Sequence, residues 1–425
     1  MQQIFNSFKS FIKSDFAIVF LANVFSYFVT FCGAILYVRL LDKYQFGLYT
    51  FSFNIVSLFL LVNGLGVASG IMQFVSGEKD LNKQSAYLQF AFIAGLLFNF
   101  IISILIISYA LFFPIPIPEA KYILLSMALF PVGRLYIDIY QAYFRAKQLN
   151  KDQAKFAVIN NLIILVSNLL GIYLFKVYGL IIFNYIGYLI VFVFSTKYFK
   201  LYNHFKLSNF IQNYKLKLIN YWKFINYSFY AITNNAFSGL LFVLDIVIIS
   251  YVIKKPELVA NYRVASIIPF AISFIPSVVM TYYYPFFVKN SLDVIYIRAL
   301  YKKITQKMLI GTGIISVFLV LLAKPIIIIV FGEIYKDSII PFQILSFGFW
   351  ILASGRSING NILASLGKIK HSLFITTLVL IFNSVITFIL VKYFGIIGAA
   401  IGVVIIYLLS SLISFLILNL VLRNI

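Results

Sequence analysis

Long apolar runs alternate with short polar connectors along the whole chain, and most runs are of similar length. A helix rises 1.5 Å per residue, so about 20 apolar residues cross a bilayer core of about 30 Å. Glycine, proline and charge punctuation divides the chain into twelve such spans: 16–38, 46–68, 86–113, 121–143, 156–175, 179–196, 224–252, 258–287, 305–330, 338–364, 371–391 and 395–421. Lipid offers no hydrogen bonds to the backbone, so each run must satisfy its own N–H and C=O groups as a helix. The pattern predicts an all-α polytopic membrane protein with twelve transmembrane helices.

The second half of the pattern repeats the first. YLFKVYGLIIFNYIGYLIVF (173–192) parallels ILVKYFGIIGAAIGVVIIY (389–407): a span, a lysine, an aromatic, a glycine and a further span. Gly179 and Gly395 are 216 residues apart (395 − 179), and Asn168 and Asn383 are 215 apart (383 − 168). AYFRAKQLNKDQAKF and NILASLGKIKHSLF occupy matching places upstream. Six spans separate the copies, an even number, so the repeat is parallel, an arrangement in which transporters hold substrate between two halves. The predicted organisation is an N-terminal six-helix lobe (1–200), a basic linker (201–222) and a C-terminal six-helix lobe (223–425). Residues 197–223 carry six lysines and no acid, interleaved with aromatics. That suits either a segment lying on the anionic inner leaflet or a plain tether.

Composition sharpens this picture. Hydrophobic residues make up 62% and charged residues 11%, with a mean hydropathy of +1.00, against about 25% charge in a soluble chain. The net charge of +22 lies between the apolar runs rather than along one face, which excludes a nucleic-acid reading. Of 34 Lys and Arg, 22 fall on one side of the twelve-span frame, 9 on the other and three within spans. The positive-inside rule then places both termini in the cytoplasm. The opposite connectors are short, which excludes a sizeable extracytoplasmic domain. Cys32 is alone, and His204 and His371 lack ligand spacing, so neither a disulfide framework nor a metal site is expected. The first run is too long for a signal-peptide core and is expected to stay as a helix.

Charges inside spans are costly, about 2.5–3.5 kcal/mol each on insertion scales, and normally face a cavity or a partner. Asp245, in SGLLFVLDIVIISYV, and Arg263 flank one tight turn at about equal depth, roughly 12–14 Å along their helices. They suit either a structural ion pair between spans 7 and 8, or a working pair in which Asp245 exchanges a proton or cation and Arg263 meets an anion. Arg134 and Asp138, spaced i, i+4, can neutralise one another. Arg356 sits in LASGRSINGN without an acid nearby, and its guanidinium fork suits phosphate. Arg39 is a candidate cavity rim or interface residue. Asn23, Asn63, Asn234 and Asn235 are candidate sugar contacts.

Four segments in order then carry a family resemblance. VRLLDKYQFGLYTFSF (38–53), LDIVIISYVIKKPELVANYRVAS (244–266), IIIIVFGEIYKDSIIPFQILSF (326–347) and YFGIIGAAIG (393–402) resemble, in order, the first hairpin, the seventh-to-eighth hairpin, the segment between spans nine and ten and the last hairpin of the polysaccharide (O-antigen, Wzx-type) flippases of the multidrug/oligosaccharidyl-lipid/polysaccharide exporter superfamily. The resemblance implies two six-helix lobes around a central cavity lined mainly by spans 1, 2, 7 and 8. It also implies translocation of undecaprenyl-diphosphate-linked oligosaccharide across a bacterial inner membrane, with lipid and other polysaccharide assembly proteins as partners. No cofactor is implied, and a proton or sodium gradient is left open as the driving force. GIMQFVSGEKD (70–80) departs from the pattern, with Gln73 where many relatives carry arginine.

Three functions compete at this level. A lipid-linked oligosaccharide flippase suits three in-span arginines against two acids. A drug or organic-cation exporter of the same superfamily would need an acid-lined cavity, and only Asp245 is available once Asp138 is paired. A membrane polysaccharide polymerase would need a long outer loop, which is missing, so no catalytic residues are expected.

Overall fold

The computed structural model describes residues 15–199, 219–291 and 293–423, without the side chains of 15–20, 234, 238, 242, 281, 285 and 369. Both chain ends and most of the expected linker, residues 201–218, lie outside the described residues. Among those described, every regular element is helical. Eight helices are long and apolar enough to cross a membrane, or up to ten if each of two bent pairs is one span. The protein is a multi-pass membrane protein. Two compact units are formed, the first by Met1–Leu41 with Ser52–Ala236 and the second by Asp42–Phe51 with Phe237–Ile425.

In the first unit, α1 (Asp15–Leu40) packs along the longest helical run of its half, Asn150–Tyr198. Between α1 and that run come α2 (Lys43–Leu60), which belongs to this unit from Ser52 onward, α3 (Val67–Val75), α4 (Leu81–Phe112), α5 (Ala120–Ser126) and α6 (Phe130–Ala146), so Asn150–Tyr198 is α7. A straight α7 would separate Ile164 from Gly187 by about 34 Å. Instead a Cβ on Gly187 would lie 3.5 Å from the Ile164 Cα and 3.3 Å from the Ser167 Cβ. The run therefore folds back on itself. The reversal falls at Phe175 and Lys176, the latter at φ 54°, ψ −131°. Gly171 and Gly179 face each other across it, and a Cβ on either would strike the other's carbonyl oxygen. The core beneath is aromatic, with Tyr136, Tyr140, Phe144 and Phe156 in mutual ring contact.

The second unit repeats the device. It contains α8 (Tyr221–Ile253) from Phe237 onward, α9 (Pro256–Ile272), α10 (Phe274–Lys289), α11 (Val294–Leu321), the short α12 (Ala323–Ile326), α13 (Ile339–Ile351), α14 (Ser357–Ser365) and α15 (Ile369–Arg423). In α15 the reversal is at Gly395, φ 58°, ψ −138°, and a Cβ on Gly402 would lie 3.4 Å from the Thr387 Cα. The two reversals share almost one backbone conformation, in a region of positive φ that residues with a Cβ seldom enter. They are 219 residues apart (395 − 176). The repeat is thus in register by its turns, three residues away from the 216 given by matching Gly179 with Gly395. Lys176, not a glycine, takes the turn conformation in the first copy, which is why matching glycines misplaces it.

Two helix pairs are bent at short breaks instead of reversed. Ala120–Ser126 and Phe130–Ala146 meet at 44°, and Tyr221–Leu241 and Val243–Ile253 at 52°. Between α2 and α3 the helix is interrupted at Asn63–Gly66, where Gly64, Leu65 and Gly66 all have positive φ.

Candidate functional site: a polar pocket in the second unit

The first arm of α15 presents Ser372, Thr376, Val379, Asn383 and Thr387 at intervals of three and four residues. That spacing stacks them on one helical face. The second arm does the same with Val403, Ile406, Tyr407 and Ser410. Preceding them, a π-helical turn at Leu352–Arg356 links α13 to α14. The extra residue in that turn rotates the faces of α14 relative to α13, and such bulges concentrate at functional sites. Leu352, Arg356, Ser357, Gly360 and Asn361 consequently share a face. These three stripes, with Leu241 and Asp245 of α8 and Ser273 and Ser277, enclose a pocket of about 350 Å³.

Asp245 lies just beyond the 52° bend of α8 and is 4% exposed. Its Oδ1 accepts from the Asn383 amide at 3.2 Å, and Asn383 Oδ1 in turn accepts from Thr387 Oγ1 at 2.9 Å. Asn383 and Thr387 are also buried. The guanidinium of Arg356 is anchored on one nitrogen: Nη2 donates to Ser372 Oγ at 3.3 Å and to Thr376 Oγ1 at 3.1 Å. The Arg356 backbone N–H donates to Ser411 Oγ at 3.0 Å. Nε and Nη1 have no acceptor among the described residues, and no ion pair joins Arg356 to any carboxylate there. The pocket therefore holds a carboxylate and an unneutralised guanidinium, each held by polar side chains on the first arm of α15.

The structure does not form the expected Asp245–Arg263 ion pair. Among the described residues the ion pairs are Lys43–Asp337 at 3.9 Å and Arg134–Asp138 at 3.0 Å. Rise per residue gives equal depth, but pairing also needs matching azimuth, which changes by about 100° per residue. Asp245 points at α15, whereas Arg263 is half-buried within electrostatic reach of Tyr49 and Tyr262. Arg263 is not among the residues lining the pocket.

The remaining candidates lie elsewhere. Arg39 is exposed in the last turn of α1, Asn23 is half-buried in α1, and Asn235 is exposed. The Asn234 side chain is outside the described residues. Asn63 is committed to a network in the first unit. Its Nδ2 donates to Asp138 Oδ2 and its Oδ1 accepts from Asn99 Nδ2, both at 2.8 Å. Asn99, fully buried, also donates to the Pro131 carbonyl at 2.7 Å and accepts from the Gly64 N–H at 2.7 Å. The same Asp138 accepts from Arg134 Nε at 3.0 Å. The network closes the break at Asn63–Gly66, where Asn99 supplies the acceptor for the Gly64 N–H while Leu65 and Val67 donate to the nearby carbonyls of Val62 and Gly64. Asn99→Leu should therefore lower stability by about 2 kcal/mol by stranding buried donors and acceptors. Thermal unfolding in detergent checks this, and an unchanged midpoint would mean that apolar packing alone holds the break.

With this geometry in place, comparison with known proteins decides the family. Residues 12–291 match the model of the polysaccharide biosynthesis protein family. The chain belongs to that family. No curated protein matches it in sequence. Among solved structures, family membership is accompanied by likeness to the lipid II flippase MurJ in an inward closed conformation. The TM-score is 0.74 at 16% identity, covering 95% of this chain and 87% of that one. An inward-facing multidrug resistance MATE family transporter of the MOP superfamily gives a TM-score of 0.76 at 14% identity, covering 94% and 95%. A MOP superfamily transporter from Pyrococcus furiosus, described as having a binding pocket of reverse polarity, gives 0.62 at 14% identity, covering 96% and 93%. At these identities the likeness establishes a shared fold, so this polysaccharide biosynthesis protein has the MurJ/MATE fold.

Asn383, Thr376 and Ser372 are pocket residues that the sequence reading does not single out as such, and Thr387 reaches the pocket only through Asn383. Their signal is present there, as a polar stripe of helical period in the apolar run 371–391. It is masked because Asn383 also serves as a marker of the internal repeat.

Proposed function

We propose that this protein is a flippase that moves undecaprenyl-diphosphate-linked oligosaccharide repeat units, of O-antigen or capsular type, from the cytoplasmic to the outer leaflet of a bacterial inner membrane. Catalytic residues have no part in it. Binding and alternating access suffice, with a proton or sodium gradient acting through Asp245. The observation that carries the reading is Arg356, a guanidinium with donors open to a membrane-embedded pocket and no carboxylate paired to it, in a chain of the polysaccharide biosynthesis family. A fork of this kind binds phosphate or carboxylate oxygens bidentately.

Further support comes from the span count. Taking α7 and α15 as two spans each, and each bent pair as one, turns the eight long helices into twelve spans. That count is the one expected of two six-span lobes with both termini on the Lys/Arg-rich side. MurJ, a lipid II flippase, shares the fold. A second reading, export of organic cations, is favoured by Asp245 in the same pocket and by the likeness to multidrug transporters.

The test is the leaflet distribution of lipid-linked repeat units after deletion of the gene. Accumulation on the cytoplasmic leaflet with loss of surface polysaccharide is expected. Normal surface polysaccharide together with raised sensitivity to cationic drugs would transfer the function to the second reading.

A further inference from the structure

The pocket lies wholly within the second unit, and its polarity is more specific than a general affinity for anions. At one part of its wall Arg356 offers Nε and Nη1, held in orientation because Nη2 is tied to two hydroxyls one turn apart on α15. At another, Asp245 accepts a single hydrogen bond from Asn383 and lines the same space. Ser372, Thr376, Tyr407 and Ser410 line the same space. Thr376 and Ser410 donate their O–H to the backbone carbonyls of Ser372 and Tyr407 and are left to accept, whereas the Ser372 and Tyr407 hydroxyls can donate. A bare phosphate or diphosphate would satisfy Arg356 but would be repelled by the carboxylate. An organic cation would satisfy Asp245 but be repelled by the guanidinium. A neutral sugar would leave the charge on Arg356 unmet, which is costly away from water.

A ligand that meets all of these groups carries one oxyanion together with several hydroxyl donors. The volume of about 350 Å³ is at the lower end of the range for ligand pockets and admits one sugar ring. Apolar side chains such as Leu241, Val379 and Val403 complete the wall, and they suit the C–H face of a pyranose.

We infer that this intralobe pocket is a binding site for an acidic monosaccharide unit, with its carboxylate or ring phosphate on Arg356 and ring hydroxyls donating to Asp245. The inference rests on the flippase reading for where such a sugar comes from, namely a residue of the transported glycan. Binding itself does not depend on that reading.

The experiment is a titration of the purified full-length protein in detergent, monitored by calorimetry, with three probes: glucuronate, glucose and inorganic pyrophosphate. Glucuronate is expected to bind, glucose at least tenfold more weakly, and pyrophosphate no better than glucose. Arg356→Ala should weaken glucuronate binding tenfold or more and remove the preference over glucose. Arg356→Lys should retain part of that preference, because the charge survives without the fork. Thr376→Val, which removes one of the two hydroxyls holding Nη2 without touching charge, should weaken binding by a smaller factor. Each variant's thermal midpoint reports whether it is folded, and Thr376→Val keeps the test decisive if Arg356→Ala is not.

Equal binding of glucose and glucuronate would overturn the inference. So would pyrophosphate binding that depends on Arg356 while glucuronate fails, because the pocket would then take the oxyanion alone. Glucuronate binding indifferent to both Arg356→Ala and Thr376→Val would place the sugar elsewhere. None of these results bears on whether lipid-linked units accumulate after gene deletion. The pocket assignment and the transport reading therefore fail separately.

Discussion

Asp245→Asn is expected to reduce polysaccharide export at least tenfold while leaving the purified protein as stable as wild type or more so. The carboxylate is 4% exposed and meets one neutral partner, the Asn383 amide. Keeping a carboxylate at membrane depth costs about 2.5–3.5 kcal/mol on insertion scales, more than burying its uncharged isosteric amide. A purely structural carboxylate would be expected to have a cationic partner, and breaking such a pair is strongly destabilising. Asp245 has no ion pair among the described residues. Opposite signs in transport and stability are therefore the signature of a working charge. Surface polysaccharide at matched expression reports the first, and thermal unfolding in detergent the second. Wild-type export by Asp245→Asn would remove the coupling role proposed for it. Parallel loss of export and stability would return Asp245 to scaffolding.

Apolar length locates the helices in the sequence, because rise per residue is nearly invariant. It also sets the depth of Asp245 and Arg263, but their azimuth depends on the 52° bend of α8, which no local signal marks. The recurrence of the reversal is legible, yet Gly179 is the wrong residue from which to draw its register. Tertiary packing instead places a lysine, Lys176, in the turn conformation that Gly395 adopts. Asn63 looks like a sugar contact because a buried asparagine in an apolar run is ambiguous. Its assignment to the break in span 2 depends on Asn99, thirty-six residues away, and on a backbone that leaves helical geometry at Gly64. Arg356 is legible by elimination, as the in-span arginine with no acid nearby in sequence. Its hydroxyl anchors on α15 are not, since they are brought to it by the fold of the second unit.

Arg356→Ala is expected to lower export at least tenfold, with Arg356→Lys keeping more activity than Arg356→Ala and Arg356→Gln ranking with alanine. The order separates charge from hydrogen bonding. Glutamine can still donate to Ser372 or Thr376 but carries no charge. Lysine keeps the charge as a point and loses the planar fork. If the residue only pinned α14 to α15 through those hydroxyls, glutamine would outrank lysine. Equal activity of the lysine and alanine variants would argue against contact with an anion altogether. Gly360 supplies an independent check that leaves the arginine in place. It stands one turn from Arg356 on the same face, and a Cβ there would run into Nη1. Gly360→Ala should therefore push the guanidinium off its position without altering the charge of the pocket, giving an intermediate loss of export with little change in expression. Were Gly360→Ala fully active, the exact placement of Nη1 would be immaterial, and Arg356 would act through its charge alone.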